Sequence, residues 1–329
     1  MRAIVADPSS GLTWQSVPAV HPAKDEILIK VVAAGVNRAD LMQAAGKYPP
    51  PPGASDIIGL EVSGTVAAVG DGVTQWSEGQ PVCALLAGGG YAEFVAVPAS
   101  LVMPVPDGVP VSHAAALPEV ACTVWSNVVM AARLTAPGLL LIHGGASGIG
   151  THAIQVARAL NCRVAVTAGS RNKLDLCAEL GAEITVDYHN DDFVQVIREA
   201  TPDSPGADVI LDIMGAAYLD RNIETLADGG RLVIIGMQGG ARTELNIGRL
   251  LAKRGSVIAT ALRSRPLTGP GGKNAIVAEV VSEVWPMVAD GLVHPVIGAE
   301  FPITQAQAAH ELLESGDVSG KVLLRVDDQ

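Results

Sequence analysis

The sequence predicts an α/β fold in which a doubly wound parallel sheet is inserted into a discontinuous β-rich domain. Through the middle of the chain, short apolar runs alternate with helical patterns, as in right-handed strand–helix–strand crossovers. A glycine-rich turn joins the first of these strands to the first helix. We therefore expect a β-rich domain of residues 1–120 and 263–329 and a doubly wound domain of residues 121–262.

The predicted elements of the two domains differ in pattern. The doubly wound domain should have strands at 139–143, 163–168, 184–187, 207–212, 230–235 and 256–261, with helices in the gaps. In the β-rich domain we expect strands at 26–32, 62–69, 81–86, 91–97 and 321–326, and helices at 275–288 and 304–314. Residues 48–53, Tyr-Pro-Pro-Pro-Pro-Gly, predict a stiff polyproline-like loop.

The turn after the first strand of the doubly wound domain carries the most informative pattern. It reads Gly145-x-Ser147-x-x-Gly150 and opens directly into a helical pattern, so serine replaces the middle glycine of the usual dinucleotide fingerprint. Such a turn brings pyrophosphate close to the backbone, where the first helix amides donate to it. The flanking strand and helix favour a cofactor site over an ordinary glycine-rich turn.

The end of the next strand indicates which dinucleotide binds. An NAD site usually places a carboxylate about 20 residues past the glycines, but here that place holds Gly169 and Ser170, followed by Arg171 and Lys173. A hydroxyl and two cations suit a ribose 2′-phosphate, which predicts NADPH. The alternative is that both cations only solvate a helix N-terminus, although cations there oppose the helix dipole.

Composition limits the possible partners and location. The 329 residues are 49% hydrophobic and 17% charged, with a net charge of −12, which indicates a compact protein without a basic stripe for nucleic acid or anionic membranes. The N-terminus becomes polar too soon for a signal peptide, and no apolar run reaches about 18 residues. The four scattered cysteines form no CxxC motif, so we expect reduced, mostly buried thiols and a cytoplasmic protein.

Three further motifs make the prediction specific. They are Asn-Arg-Ala-Asp-Leu-Met-Gln at 37–43, Tyr48-x-Pro-Pro-Pro-Gly-Ala-Ser at 48–55 and Gly-Leu-Glu at 59–61. Together with 262–265 and Gly320-Lys321, they resemble the zinc-free quinone oxidoreductase branch of the medium-chain dehydrogenase/reductase superfamily, which includes zeta-crystallin, and within it the tumour-protein-inducible quinone oxidoreductases. The resemblance spans essentially the whole chain. It implies a Rossmann domain inserted in a GroES-like domain.

The resemblance also argues against zinc. Zinc alcohol dehydrogenases of this superfamily bind the metal through a Cys, a His and a second Cys or Asp. The matching positions here are Asn37, Leu60 and a place near Glu119. One possible ligand cannot hold zinc, which needs three protein groups plus water. The four-cysteine structural lobe is missing too, since only Cys83 lies between Val82 and Tyr91.

Without zinc to polarise an alcohol, we expect an electron-poor acceptor. The predicted reaction is hydride transfer from NADPH to a quinone held at the carboxyl ends of the parallel strands. One alternative is an NADPH-dependent enone or enal double-bond reductase, which needs a placed proton donor. A second alternative is a low-turnover NADPH-binding protein with a structural or sensing role, because the fold alone does not fix the function.

The resemblance implies a set of cofactor contacts. They are Asn37, Thr123, Ser147, Gly148, Ile149, Gly169, Ser170, Lys173, Tyr188, Met214, Gly236, Met237, Leu262, Arg263, Ser264 and Lys321. Two of these positions have simpler alternatives: Tyr188 as a core tyrosine and Arg263 as a solvated cation after a strand.

Asn37 and Tyr48 are the predicted catalytic residues. Asn37 can donate to a quinone oxygen or to the nicotinamide side, and its alternative role is a helix cap. Tyr48 can stack on a planar quinone or donate its phenolic proton, and its alternative role is a loop anchor.

Four other polar residues are expected to be structural. Asp40 and Glu61 should be partners of Arg38 and nearby backbone, His143 a satisfied buried histidine, and Cys122 a packing residue. The β-rich segment 255–262, at the end of the predicted Rossmann sheet, presents an apolar edge, and relatives pair such strands across a two-fold axis. We therefore predict a homodimer through this edge.

Overall fold

The computed structural model describes residues 1–7, 11–203 and 205–326. Its strands are β1 (Arg2–Asp7), β2 (Gly11–Ser16), β3 (Glu26–Val36), β4 (Glu61–Val69), β5 (Pro81–Leu85), β6 (Phe94–Pro98), β7 (Val102–Pro104), β8 (Leu139–His143), β9 (Arg163–Ala168), β10 (Ile184–Asp187), β11 (Ala207–Asp212), β12 (Leu226–Ile234), β13 (Ser256–Ala259), β14 (Ile297–Pro302) and β15 (Lys321–Arg325). Its α-helices are α1 (Arg38–Ala44), α2 (Val111–Ala114), α3 (Pro118–Val124), α4 (Gly148–Ala159), α5 (Arg171–Glu179), α6 (Phe193–Ala200), α7 (Leu219–Thr225), α8 (Ile247–Ala252), α9 (Lys273–Glu279), α10 (Trp285–Ala289) and α11 (Ala306–Ser315).

The chain divides into two compact units. The β-rich unit contains the described parts of residues 1–122, 262–291 and 295–329, and the doubly wound unit contains those of 123–261 and 292–294. The short segment 292–294 joins the doubly wound unit through Gln155. The Gln155 side chain donates to the His294 carbonyl at 3.0 Å and accepts from the His294 N–H at 2.9 Å.

The doubly wound unit contains a parallel sheet with strand order β10-β9-β8-β11-β12-β13. The order reverses between β8 and β11, so the carboxyl ends of these two strands form the switch point where such sheets bind ligands. All five residues of β8 are buried. A core on this sheet is built from β8 to β12 and from α6, with Leu141, Phe193 and Ile210 among its buried members.

Three strand boundaries in this sheet differ from the prediction. β12 begins at Leu226 rather than at residue 230 and ends at Ile234 rather than at residue 235, and β13 ends at Ala259 rather than at residue 261. The sequence Asp-Gly-Gly at 228–230 resembles a turn, and Gly229 has a positive φ of 75°. The strand nevertheless pairs on both sides of it through a register shift between Ala207 and Val209.

The β-rich unit is built on a mixed sheet with strand order β14-β15-β3-β4-β5-β7, and β6 also pairs with β3. β1 and β2 form a separate antiparallel pair. The predicted helix at 275–288 is α9, a π-helical segment (Val280–Val284) and α10 in succession. Pro286, which lacks an N–H, is the second residue after the wider π-helical segment.

Candidate functional site

The glycine turn after β8 is compact because its glycines leave no room for side chains. A Cβ at Gly145 would lie 2.7 Å from Val166 Cβ and 3.0 Å from Cys177 Sγ, and one at Gly150 would collide with the Gly144 and Gly145 carbonyls. Ser147 caps α4, since its Oγ accepts the Gly150 N–H at 3.0 Å. The first helical bond runs from Thr151 to Ser147 at 2.8 Å. The Gly148 and Ile149 amides precede that bond and point out of the helix start, as an anion site requires.

The end of β9 and the loop after β10 come together around Gly169. A Cβ at Gly169 would collide with the Tyr188 hydroxyl and would lie 3.2 Å from His189 Nε2. The Tyr188 and His189 rings are 4.5 Å apart, and Tyr188 is 46% exposed, which rules out its alternative role as a core tyrosine. Ser170 is the N-cap residue of α5, and its side chain makes no capping bond.

The two cations beside this cluster are placed differently. Arg171 forms an i,i+4 pair with Asp175 at 2.8 Å, and its side chain is 85% exposed. Lys173 lies two residues after Arg171 in α5, and its side chain is half-buried. Arg171 is therefore the more exposed of the two cations, and Lys173 is the more buried one.

The loops after β11 and β12 meet at the carboxyl edge of the sheet. Met214 accepts the Gly239 N–H at 2.7 Å, and Gly236 packs against Ile213 so closely that a Cβ would lie 2.6 Å from its carbonyl. Asp212 holds the first loop, because its carboxylate accepts the N–H groups of Met214 and Gly215 at 2.7 and 3.0 Å. Burial raises the pKa of Asp212 to about 6.

Sequence reasoning missed two residues of the doubly wound unit. His189 stands beside the predicted Tyr188, and an imidazole next to an expected phosphate site could have been noticed. Asp212 ends a buried strand at the switch point, and an Asp whose side chain accepts the N–H groups two and three residues later is typical of a turn. Thr123, which was predicted, is 7% exposed, and its carbonyl accepts from Asn127 at 2.8 Å.

In the β-rich unit, Asn37 is hydrogen-bonded to the side chains of Asp40, Glu61 and Lys321. It is the N-cap residue of α1, and its backbone N–H donates to Asp40 Oδ2 at 2.7 Å. Its amide nitrogen donates to Glu61 Oε1 at 2.8 Å, and its amide oxygen accepts from Lys321 Nζ at 2.6 Å. Asn37 therefore has a role beyond capping the start of α1, because its side-chain amide is hydrogen-bonded to both members of a buried ion pair.

That ion pair corrects one expectation about Glu61. The cation beside it is Lys321, at 2.5 Å, and not Arg38. Both side chains are buried, at 0% and 4% exposure for Glu61 and Lys321. The backbone partner was expected correctly, because Glu61 Oε2 accepts the Glu119 N–H at 2.9 Å.

Arg263 lies far from solvent, at 5% exposure, so its alternative role as a solvated cation is wrong. Its guanidinium donates to Gln43 Oε1 at 2.7 Å, to the Ala87 carbonyl at 2.8 Å and to the Tyr48 carbonyl at 3.3 Å. It also lies 5.2 Å from the centre of the Tyr48 ring. Burial raises the pKa of Tyr48, which the nearby Arg263 partly offsets, so the phenol keeps its proton at neutral pH.

A cavity of about 720 Å³ opens beside these residues within the β-rich unit. Its wall includes the proline loop at 51–55, the turn at 85–89, Arg263–Arg265 and Lys273. Leu262 is buried and Ser264 is exposed. Lys273 is 7% exposed and donates to the Arg263 carbonyl at 3.0 Å. The cavity wall thus combines apolar residues such as Leu86 and Val97 with two buried cations, Arg263 and Lys273.

Two predicted structural residues have the expected surroundings. His143 is 1% exposed, and its ring nitrogens lie 3.1 Å from Thr167 Oγ1 and 2.6 Å from Asn222 Oδ1. Burial lowers the pKa of His143 to about 4, so it is neutral. Cys122 is fully buried, and burial raises the pKa of its thiol well above the ordinary value, so it packs as a neutral side chain.

The residues at the positions expected for a catalytic metal do not fit zinc, because Leu60 has no ligand atom and the Asn37 amide is already bonded to Glu61 and Lys321. Glu61, next to Leu60, cannot replace them. Both Glu61 oxygens already accept hydrogen bonds, and the Lys321 ammonium beside them would repel a second cation. Across residues 1–7, 11–203 and 205–326, no three His, Cys, Asp or Glu side chains are grouped as a metal ion would require. No helix in the same ranges has the length and hydrophobicity needed to cross a membrane.

The fold and the glycine turn define a two-unit protein with a dinucleotide-type Rossmann sheet, and comparisons with known proteins agree. Residues 23–107 match the alcohol dehydrogenase GroES-like domain, and residues 148–273 match the zinc-binding dehydrogenase family. The quinone oxidoreductase of Rattus norvegicus is 31% identical over 94% of this chain and 91% of its own length. The chain therefore belongs to the medium-chain dehydrogenase/reductase superfamily, in the family that includes these quinone oxidoreductases.

Other relatives extend the range of chemistry. A phenolphthiocerol/phthiocerol polyketide synthase subunit of Mycobacterium tuberculosis is 31% identical over 93% of this chain, but the chain spans only 14% of that protein. Escherichia coli quinone oxidoreductase, solved in complex with NADPH, gives a TM-score of 0.86 at 27% identity, covering 99% of both chains. The CurK enoyl reductase gives a TM-score of 0.86 at 25% identity, again over 99% of both chains.

Proposed function

We propose that this protein is an NADPH-dependent, zinc-independent quinone oxidoreductase. The overall reaction converts NADPH, one proton and a quinone into NADP⁺ and a hydroquinone. The observation that carries the proposal is the Asn37 amide, which is held between Lys321 and Glu61 with an N–H directed by charged partners. An amide N–H stabilises the negative charge that develops on a quinone oxygen as hydride adds.

The doubly wound unit fits NADPH in two places. The open amides of Gly148 and Ile149 suit the pyrophosphate, and Ser147 and Gly150 close the turn beneath them. Gly169, Ser170, Lys173 and Tyr188, with His189 added by the structure, suit a 2′-phosphate.

Five of the remaining predicted cofactor contacts fall into two groups. Met214, Gly236 and Met237 lie together after β11 and β12, where a nicotinamide binds in such sheets. Lys321 and Arg263 already bond protein acceptors, so we assign them to positioning Asn37 and Tyr48.

NADPH supplies the hydride, and this chain's residues orient the acceptor. Asn37 donates to one quinone oxygen, while the Tyr48 ring, fixed by Arg263, offers a flat surface for stacking. The second oxygen of the product takes its proton from solvent.

The test is acceptor-dependent NADPH oxidation by the whole chain and by Asn37→Ala. We expect turnover with ortho- or para-quinones, a preference for NADPH over NADH, and a loss in kcat of about 10²-fold in the variant. Asn246→Ala is the matched control, because Asn246 is also an N-cap residue, capping α8 through the Arg249 N–H at 3.0 Å. Measurable NADPH binding without turnover on any quinone would contradict the proposal and leave the low-turnover binding protein.

The runner-up is an enone or enal double-bond reductase. The likeness to an enoyl reductase and to a polyketide synthase supports it, and Tyr48 is its candidate proton donor. Turnover with an aliphatic enone and none with quinones would favour this function.

A further inference from the structure

The Lys321 ammonium has no hydrogen left for a ligand. Its three acceptors are Asn37 Oδ1 at 2.6 Å, Glu61 Oε1 at 2.5 Å and the Val36 carbonyl at 3.2 Å. An ammonium carries three N–H donors, so the side chain is fully engaged within the β-rich unit. Any effect of Lys321 on a bound ligand must therefore pass through one of these three partners.

Both carboxylate oxygens of Glu61 are likewise engaged in hydrogen bonds. Its Oε1 accepts from Lys321 and from Asn37, and its Oε2 accepts the Glu119 N–H. Gly35 leaves room for the carboxylate, because a Cβ there would collide with Glu61 Oε1 and with the Ala115 carbonyl. The carboxylate thus has one fixed position beside the Asn37 amide nitrogen.

These two charges give the Asn37 amide only one favourable orientation. Its oxygen faces an ammonium and its nitrogen faces a carboxylate. A rotation by 180° would exchange two charge-assisted hydrogen bonds for two repulsive contacts. The amide nitrogen has a second hydrogen, and Asn37 is only partly buried, so this hydrogen is available to an acceptor.

We propose that the buried Lys321–Glu61 pair is a positioning device that fixes Asn37 as a hydrogen-bond donor toward the acceptor. This inference rests on the proposed function, in which Asn37 contacts the acceptor oxygen. With the pair intact, the site presents an N–H and selects substrates with a carbonyl-type oxygen. Without it, the amide can turn and present its own oxygen, which repels a developing negative charge.

The variant that tests the proposal is Lys321→Met combined with Glu61→Gln. It removes both charges together and so avoids leaving one of them buried and unpaired. The matched control is Arg325→Met combined with Glu300→Gln, since this pair, 3.1 Å apart, also joins β15 to another strand of the same sheet but lies nearer the surface. Each double change is made with Asn37 and with Asn37→Ala.

For quinone reduction we expect the Lys321/Glu61 change to lower kcat at least about tenfold when Asn37 is present. With Asn37→Ala the same change should cost less than about twofold, because its effect passes through Asn37. The KM for NADPH should stay constant. An equal loss in both backgrounds would overturn the proposal and indicate a general structural role. A raised KM for NADPH in place of a lowered kcat would assign Lys321 to direct cofactor contact.

A second measurement does not depend on activity. In cofactor-free protein labelled with [¹⁵N]asparagine, the side-chain amide signals that vanish in Asn37→Ala identify Asn37. We expect one of its two protons to be shifted downfield by the carboxylate, and that shift to disappear in the Lys321/Glu61 variant and persist in the control. Unshifted signals in the wild-type chain would overturn the inference. A shifted signal in a protein that reduces no quinone would leave the inference standing and reject the proposed function.

Discussion

The Tyr91 hydroxyl lies 3.3 Å from Asp40 Oδ2, and both side chains are fully buried. The same hydroxyl lies 3.1 Å from His310 Nε2, which packs edge-on against the Tyr91 ring. Asp40 Oδ2 also accepts the backbone N–H of Asn37, so these contacts connect His310 and Tyr91 to the candidate active-site residue Asn37. Burial raises the pKa of Asp40 to about 7, and burial lowers the pKa of His310 to about 4.

The raised pKa of Asp40 predicts a pH-dependent stability. Between pH 4 and 7 the folded chain keeps a proton on Asp40 that the unfolded chain has lost, so stability falls as pH rises through this window. The full effect is as large as about 4 kcal/mol. Asp40→Asn keeps an acceptor for the Asn37 N–H and should lose this dependence in thermal melts at pH 5 and pH 8.

Asp192→Asn is the control for this experiment. The hydrogen bond from Arg221 holds the pKa of Asp192 below its ordinary value, so its contribution changes only at acid pH. It should behave as the wild type between pH 5 and 8. If the stability of Asp40→Asn falls with rising pH as steeply as that of the wild type, Asp40 is ionised across the whole range from pH 5 to 8.

Lys173→Ala should weaken NADPH binding by about 1–3 kcal/mol, the scale of a charge-assisted hydrogen bond, and leave NADH binding unchanged. Arg171→Ala is the comparison, because Arg171 is already paired with Asp175 at the surface. We expect its effect to be smaller. Fluorescence titration with each dinucleotide measures all four affinities, and an equal loss for NADPH and NADH would remove Lys173 from the 2′-phosphate site.

Tyr48→Phe separates the two candidate reactions. Phenylalanine keeps the ring that Arg263 contacts and removes only the hydroxyl. Quinone reduction should fall by less than about threefold, whereas reduction of an enone that needs the phenolic proton should fall by about 10²-fold or more. Steady-state rates on one quinone and one enone provide the test. A large loss with the quinone would make the hydroxyl part of quinone reduction as well.

The edge of the Rossmann sheet predicts how two chains associate. β13 is the last strand in the sheet order, Val257 on it is 36% exposed, and Ile247 and Leu251 of the preceding α8 are 68% and 74% exposed. Val257→Asp should convert a dimer to monomer, because a charge on an edge strand opposes pairing. Leu292→Asp, at a residue that is 57% exposed elsewhere in the same unit, should not. Sedimentation that finds the wild type monomeric at micromolar concentration would reject the dimer.

The sequence predicts the buried strands well and long-range side-chain partners poorly. The four strands β8 to β11 have the predicted bounds, because a strand inside a parallel sheet is a compact apolar run. β12 was predicted too short, since Asp228 and the glycine pair at 229–230 have the composition of a turn. Local composition cannot show that pairing with β11 before and after these residues keeps them within one strand.

The candidate site shows the same limit. The glycine turn and Gly169 could be found from the sequence because their chemistry depends on neighbours within a few residues. Lys321 meets Asn37 across 284 positions and Arg263 meets Gln43 across 220, and nothing in the local pattern indicates either partner. Both cations had been expected to contact the cofactor, and only the fold reveals that protein acceptors already hold them.

The crowding at Gly169 constrains how this protein could change its coenzyme during evolution or redesign. An aspartate at position 169, a common choice in proteins that use NADH, would displace the Tyr188 hydroxyl from its place above the glycine. A single substitution there would damage one dinucleotide site before creating the other. Position 170 has no such obstacle, since the Ser170 side chain is exposed and makes no capping bond. A switch toward NADH would therefore begin most simply at Ser170, since a change at position 169 also requires the Tyr188 side chain to move.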